Sequence, residues 1–156
     1  LNNEMGDFNA GPGLTNDQGL IGTVPNLARP EQRMLSSMSP SIVAKDGELV
    51  AVVGSPGGRT IINTVMQVIL NVVDFDMNIQ EAVNAPRLHH QWLPDNVRIE
   101  QDGVSAETVA ELERRGYAVS VRGGQGLAHS IMIDPENGDR LGAADPRNVD
   151  ARAVGN

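Results

Sequence analysis

Two clusters of small residues carry most of the chemistry this sequence offers. The first is Ser36-Ser37-Met38-Ser39-Pro40 and the second is Gly54-Ser55-Pro56-Gly57-Gly58. Hydroxyls such as those of Ser36 and Ser37 can donate to an anion. Gly57 and Gly58 directly precede an apolar helical pattern. The first N–H groups of a helix have no intrahelical partner and lie at its positive end, so these glycines suit an anion or a developing oxyanion. As nucleophiles, Ser36 and Ser37 would need a base, and the sequence places none beside them. Gly54-Ser55-Pro56-Gly57 does not fit the Gly-x-Ser-x-Gly elbow. A third group, Glu4 and Asp7 flanking Gly6, places two carboxylates close together. Such a pair can hold an ammonium group or be an ordinary solvated turn, and spacing alone leaves both open.

The elements that position these residues follow from local signals. Ile42-Val43-Ala44 and Leu49 to Val53 are apolar runs joined by Lys45-Asp46-Gly47-Glu48. Asp-Gly between two such runs predicts a β-hairpin, which brings both clusters to the same end of a sheet. A helix is expected over 59–75, with apolar residues on most of its surface and therefore burial over much of its circumference. Asn78 caps a short second helix, with Glu81 completing a capping box, and this helix stops near Pro86. Residues 88–92 look extended, Pro94-Asp95-Asn96 reads as a turn, and 97–100 reads as a strand. Ser105 caps a third helix with Val109 and Leu112 on its inner stripe, ended by Gly116. Strands follow at 117–121, 130–133 and 140–144. Residues 1–9 read as a strand end running into a loop, and 10–32 as a long loop rich in Gly, Pro, Asn and Thr. Loops of that length are usually functional or disordered, and its glycines could hinge a lid. Asp145 and Arg147 straddle a proline and read as a fixed polar pair closing the domain.

Bulk properties remove several classes. The 156 residues make one ordinary domain, 40% hydrophobic but only 3% aromatic, so packing rests on Val, Ile, Leu, Met and Ala. A net charge of -8 argues against a nucleic-acid partner. With no cysteine there is no disulfide, thiolate metal site or cysteine nucleophile. His89 and His90 would point to opposite faces of a strand, and His129 stands alone, so no metal site is expected. Gly123-Gly124-Gln125-Gly126 lacks the spacing of a phosphate-binding loop. No apolar run reaches the ~18 residues of a membrane span. The opening Leu1-Asn2-Asn3-Glu4-Met5 reads as a piece of something longer.

Five ordered motifs point to a family. LNNEM-GDF, RMLSSMSPSIV, GSPGG with its following helix, NAPRLHHQWLPD and the late ADPR together resemble γ-glutamyltranspeptidases, in the later part of the small subunit. The resemblance implies an α+β chain forming part of an N-terminal-nucleophile hydrolase αββα sandwich, as a single-domain fragment over 1–156 that lacks the nucleophile strand. It implies that a precursor cleaves itself and that a new N-terminal threonine, lying before Leu1, attacks the γ-glutamyl amide with its own α-amino group as base. Carried over by position, Glu4 and Asp7 hold the substrate's α-amino group. Ser36 and Ser37 bind its α-carboxylate, and Gly57 and Gly58 form the oxyanion hole. Residues 10–32 resemble the family's lid, with Gln18 where some bacterial members carry an aromatic residue, and Gly6 stands where Asp is common. The implied partners are a large subunit from the same precursor, a γ-glutamyl donor such as glutathione, and an amino acid, peptide or water acceptor. No cofactor is implied, and the implied location is periplasmic or secreted. An acylase of the same fold acting on cephalosporin or glutaryl side chains, and a non-catalytic γ-glutamyl-binding paralogue, are the alternatives. Retained Glu4 and Asp7 count against substrates without an α-amino group.

Overall fold

The structure, a computed structural model, describes residues 4–155 except 10, 18 and 20. The expectations for Leu1 to Asn3 and for Gln18 therefore lie outside the described residues. Strands β1 (Ser41–Lys45) and β2 (Glu48–Gly54) form the expected antiparallel hairpin. Its two turn residues, Asp46 and Gly47, are both left-handed, at φ 53 and 89. That geometry matches the twist of the flanking strands, and Asp and Gly tolerate it. Ser41 pairs with Val53, so Ser36–Ser39 enters and Gly54–Gly58 leaves at one end of the hairpin. Strands β6 (His129–Ile133) and β7 (Arg140–Ala143) extend the sheet in the order β1-β2-β6-β7, antiparallel throughout.

Two helices cover one face of this sheet. A 3₁₀ turn, Gly58–Thr60, leads into α1 (Ile61–Val73). Helix α2 (Ile79–Asn84) carries the full capping box: Glu81 N–H donates to Asn78 Oδ1 at 2.9 Å, and Asn78 N–H donates to Glu81 Oε2 at 3.1 Å. The core is built from Ala51 and Val53 of β2, Val65, Val68 and Val72 of α1, Ile79, Ala82 and Val83 of α2, and Ala128 and Ala143. These are small side chains, which let helices and sheet approach closely and compensate for the scarcity of aromatics.

A second sheet holds β3 (Leu88–His89), β4 (Val97–Glu100) and β5 (Val119–Arg122). β4 and β5 are parallel, joined through α3 (Ala106–Arg114). Ser105 Oγ accepts from Thr108 N–H at 3.2 Å, as its capping role requires.

Four expectations change. Residues Glu4–Asp7 form a 3₁₀ turn rather than a strand end, and Asn9 makes a single bridge to Leu27. The extended stretch at 88–92 shrinks to two residues because the chain turns at Trp92, φ 35. Val109 and Leu112 of α3 are only half-buried. Helix α1 is buried along one side only: Ile62, Met66, Leu70 and Val73 are exposed on the other. Among the described residues the buried side of α1 packs on the four-stranded sheet with α2, while Asn63 and Gln67 hydrogen-bond to His89 and Leu88 of β3. The opposite face of that sheet is also bare, with Ile42, Val52 and Ile131 side by side in register and exposed.

A buried ion cluster joins the two sheets. Arg87, 2% exposed, donates to Asp145 Oδ2 (2.8 Å), to the carbonyl of Gln125 (2.9 Å) and to that of Val83 (2.9 Å). Arg147 donates to both oxygens of Glu100, to Asp145 Oδ1 and to the carbonyls of Val83 and Ala85. Burial pushes the Asp145 carboxyl upward. The N–H groups of Arg147 and Ala128 and the Arg87 guanidinium outweigh it and hold the group below its ordinary range. Glu100 is depressed likewise, burial being offset by Arg147 and by the N–H groups of Gln125 and Arg87.

Asp145→Asn, made in the complete protein, should therefore lower stability by ~3–5 kcal/mol, because it strands a buried guanidinium. Denaturant unfolding checks this. A carboxylate depressed in the fold contributes stability that is present above its unfolded pKa and lost as pH falls through its folded pKa. The wild type should accordingly show a flat stability profile above about pH 5 and a decline on acidification below it. Asp145→Asn should flatten that decline.

Candidate active site

The expected site residues fall into two groups. In the first, Ser36 Oγ donates to Glu4 Oε1 at 3.0 Å, and the Ser37 N–H donates to Asp7 Oδ2 at 3.3 Å. Residues thirty or more apart in sequence thus meet as two donor–acceptor pairs. Glu4, Asp7 and Ser37 are half-buried and Ser36 is exposed, so the pairs are open to a ligand. Ser36 Oγ also accepts from the Met38 N–H at 3.2 Å, which fixes its rotamer. Alternating carboxylates and serine donors make the surface complementary to a zwitterion. An ammonium group can face Glu4 and Asp7 while a carboxylate takes the donors of Ser36 and Ser37.

The second group is the turn at Gly57–Gly58, where the chain leaves β2 for α1. Both glycines have positive φ, 146 and 55. A Cβ at Gly57 would stand 2.5 Å from Thr60 Oγ1, so only glycine fits. The Gly57 carbonyl accepts from the N–H and the hydroxyl of Thr60, at 3.1 and 2.9 Å, which turns the carbonyl back toward the helix. No hydrogen bond among the described residues uses the N–H of either glycine. Two adjacent N–H groups at the start of a helix can stabilise a developing oxyanion. No hydrogen bond among the described residues links this group to the first; they share the end of the β1–β2 hairpin.

Sequence reasoning missed what supports both groups. Behind Gly57 lies the 123–128 loop, in a shallow depression that also includes Pro56, Leu127 and Arg147. Ser55 Oγ accepts from the Leu127 N–H at 3.0 Å and donates to the Pro56 carbonyl at 2.6 Å. Gly126, φ 68, sits so close that a Cβ there would be 2.5 Å from Thr64 Oγ1 and 2.9 Å from Ser55 Oγ. The loop is pinned by the ion cluster: Gln125 N–H donates to Glu100, and Ala128 N–H donates to Asp145. Its run of glycines was the available signal, read only as a link without a phosphate-binding pattern. Asn26, buried at 7% exposure, ties the first group together through the Asp7 carbonyl and the Leu35 N–H. Nothing in its loop sequence marks it. Among the described residues no cluster of three or more His, Asp or Glu could hold a metal ion.

Residues 1–155 match the model of the gamma-glutamyltranspeptidase family. The chain belongs to the γ-glutamyltranspeptidase family. It is 50% identical over 155 residues to the glutathione hydrolase proenzyme of Escherichia coli strain K12, covering 99% of this chain and 26% of that protein. It is 39% identical over 146 residues to that of Bacillus subtilis strain 168, covering 93% and 23%. Among solved structures, a mutant of Helicobacter pylori γ-glutamyltranspeptidase superposes at TM-score 0.84 with 47% identity, over 95% of this chain and 81% of that one. An acivicin-inhibited γ-glutamyltranspeptidase gives TM-score 0.85 and 48% identity, over 96% and 80%. The N-terminal-nucleophile hydrolase fold and the α+β class follow from these likenesses. The chain spans about a quarter of the length of the curated relatives it matches.

Ser55→Ala should loosen the oxyanion-type turn while leaving the fold intact. Loss of one hydrogen bond of ~0.5–1.5 kcal/mol predicts roughly two- to tenfold faster amide exchange at Thr60, whose N–H is bonded to the Gly57 carbonyl, in a hydrogen-exchange experiment. Gly126→Ala should act in the same direction and more strongly, because left-handed backbone costs a non-glycine residue ~1–2 kcal/mol before any clash.

Proposed function

We propose that this chain is the later part of the small subunit of an enzyme that transfers or hydrolyses γ-glutamyl groups, with glutathione-like amides as donors. The observation that carries the reading is the meeting of Glu4 with Ser36 and of Asp7 with Ser37, at the same end of the β1–β2 hairpin as a glycine turn whose N–H groups make no hydrogen bond among the described residues. Glu4 and Asp7 receive the donor's α-ammonium group, and Ser36 and Ser37 its α-carboxylate. Gly57 and Gly58 receive the oxygen of the γ-carbonyl as it becomes an oxyanion. The attacking hydroxyl comes from an N-terminal threonine upstream of this chain, whose α-amino group takes the hydroxyl proton. The C–N bond then breaks, the amine leaves, and water or an amine acceptor attacks the γ-glutamyl ester. Residues 10–32 act as a lid over the donor, with Gly19 lodged against Arg59, Leu93 and Pro94.

The chain works against a large subunit released from the same precursor. Its surface is 10494 Å², against about 7,600 Å² expected for a compact monomer of this size. The excess includes two apolar surfaces of the kind a partner subunit covers: Ile62, Met66, Leu70 and Val73 on α1, and Ile42, Val52 and Ile131 on the sheet. No helix among the described residues is long and apolar enough to cross a membrane. A periplasmic or secreted location accords with the family resemblance.

Asp7→Asn in the complete proenzyme decides between γ-glutamyl and glutaryl substrates. An ammonium group entering this cleft loses water and needs a charge partner. The variant should lower kcat/KM for a γ-glutamyl anilide by roughly tenfold or more, and for the glutaryl anilide, which lacks the ammonium, by far less. Equal losses would leave Asp7 a structural turn residue. A wild type that prefers the glutaryl donor would make the protein an acylase.

A further inference from the structure

The two halves of the donor-binding cleft come from segments far apart in sequence, 4–7 and 36–37, and neither lies in a strand or an α-helix. Their relative position must be fixed by something other than a sheet ladder or helix packing. Two direct bonds join them, Ser36 Oγ to Glu4 and the Ser37 N–H to Asp7, and Asn26 is the buried residue that bridges both segments as well. It sits at the end of the 3₁₀ turn Val24–Asn26, is 7% exposed, and uses its carboxamide in both directions. Its Nδ2 donates to the Asp7 carbonyl at 2.6 Å and to Asn9 Oδ1 at 3.4 Å. Its Oδ1 accepts from the Leu35 N–H at 3.1 Å. The partners determine the amide orientation, since a carbonyl can only accept and an N–H can only donate. Its own carbonyl accepts from the Asn9 N–H at 2.9 Å, and the Asn9 side chain donates to the carbonyl and hydroxyl of Thr23 at 2.6 and 2.9 Å. One buried side chain thus spans from the residue proposed to hold the ammonium group to the residue immediately before the proposed carboxylate-binding serines.

We infer that Asn26 is a positioning residue that sets the spacing between Asp7 and Ser36–Ser37, and thereby the affinity for the α-amino acid head of the donor. The inference rests on the γ-glutamyl reading above and adds to it the residue on which the cleft's spacing depends. Asn26 makes no bond to the Gly57–Gly58 turn, so its effect falls on binding and spares the chemical step. Neither substitution reproduces this: aspartate keeps an acceptor for the Leu35 N–H but sets a carboxylate oxygen against the Asp7 carbonyl, and alanine leaves both backbone groups without a partner.

The test uses the complete, processed enzyme with Asn26→Ala, Asn26→Asp and Asp7→Asn. KM and kcat are measured for γ-glutamyl-p-nitroanilide, with the inhibition constants of L-glutamate and of glutarate, which lacks the ammonium group. Both Asn26 variants should raise KM and the L-glutamate constant about tenfold, with kcat within about threefold of wild type and the glutarate constant moving less. Unchanged KM and L-glutamate constants in both Asn26 variants, while Asp7→Asn raises them, would overturn the inference and leave the γ-glutamyl reading standing. A fall in kcat with KM unchanged would overturn it too. So would failure of both Asn26 variants to yield processed enzyme, since a role in spacing the cleft spares processing. If Asp7→Asn also leaves KM and the L-glutamate constant at wild-type values, the γ-glutamyl reading itself fails.

Discussion

Arg87 is the largest fully buried side chain among the described residues, and most of what surrounds the glycine turn hangs from its partners. A guanidinium removed from water is tolerable only when its N–H groups find acceptors and its charge finds a carboxylate. Arg87 finds the carbonyls of Val83 and Gln125 and the carboxylate of Asp145. Asp145 in turn anchors Ala128, and Glu100 anchors Gln125. A set of charges that must be satisfied together therefore holds α2, β4, the 123–128 loop and the segment after β7 in a single arrangement. Apolar packing among Val and Ala is forgiving of small slides. A cluster of directional charged bonds is not.

That rigidity reaches the site through contact with glycines. Gly126 occupies a space that admits no side chain, against Thr64 of α1 and Ser55 of the turn. Ser55 is bonded to Leu127, so the turn carrying Gly57 and Gly58 rests on a loop whose own backbone is held by Glu100 and Asp145. Groups meant to meet a charge that exists only in a transition state must be in place beforehand, because reorganising dipoles during the reaction costs what the stabilisation would contribute. The buried ions supply that fixity from behind, without touching the cleft.

Legibility in the sequence follows the range of each interaction. The β1–β2 hairpin was readable because Asp46-Gly47 has one favoured geometry, and the α2 boundary because Asn78 and Glu81 cap each other three residues apart. Ser105, Gly116 and the opposite faces of His89 and His90 are equally local. The site residues were placed by resemblance, and the structure brings Glu4 to Ser36 and Asp7 to Ser37. What could not be read depends on partner choice over long separations. Arg87 and Arg98 look alike in sequence, yet only Arg87 meets a carboxylate fifty-eight residues away. Asn26 is one more polar residue in a loop until its two backbone partners are brought to it. The apolar pattern of helix α1 predicts burial over much of its circumference, but the described residues cover only one side.

The pairing of Glu4 with Ser36 and of Asp7 with Ser37 bears on selectivity in the proposed function. The Ser36 hydroxyl donates to Glu4 and the Ser37 backbone N–H donates to Asp7, so each half-buried carboxylate has a partner. In the proposed function a zwitterionic α-amino acid head exchanges these bonds one for one: its ammonium replaces the serine donors at the carboxylates, and its carboxylate takes up the freed donors. A dicarboxylic acid head without the ammonium can take the serine donors but returns nothing to Glu4 and Asp7, and it brings a third negative charge beside two. Discrimination then comes from the groups left unpaired by the wrong ligand, a stronger lever than shape because each such group costs ~1–3 kcal/mol. On the proposed reading, the lever works only while the carboxylates and serines stay at the distance a single α-carbon can bridge, the distance on which the Asn26 carboxamide bears through the Asp7 carbonyl and the Leu35 N–H.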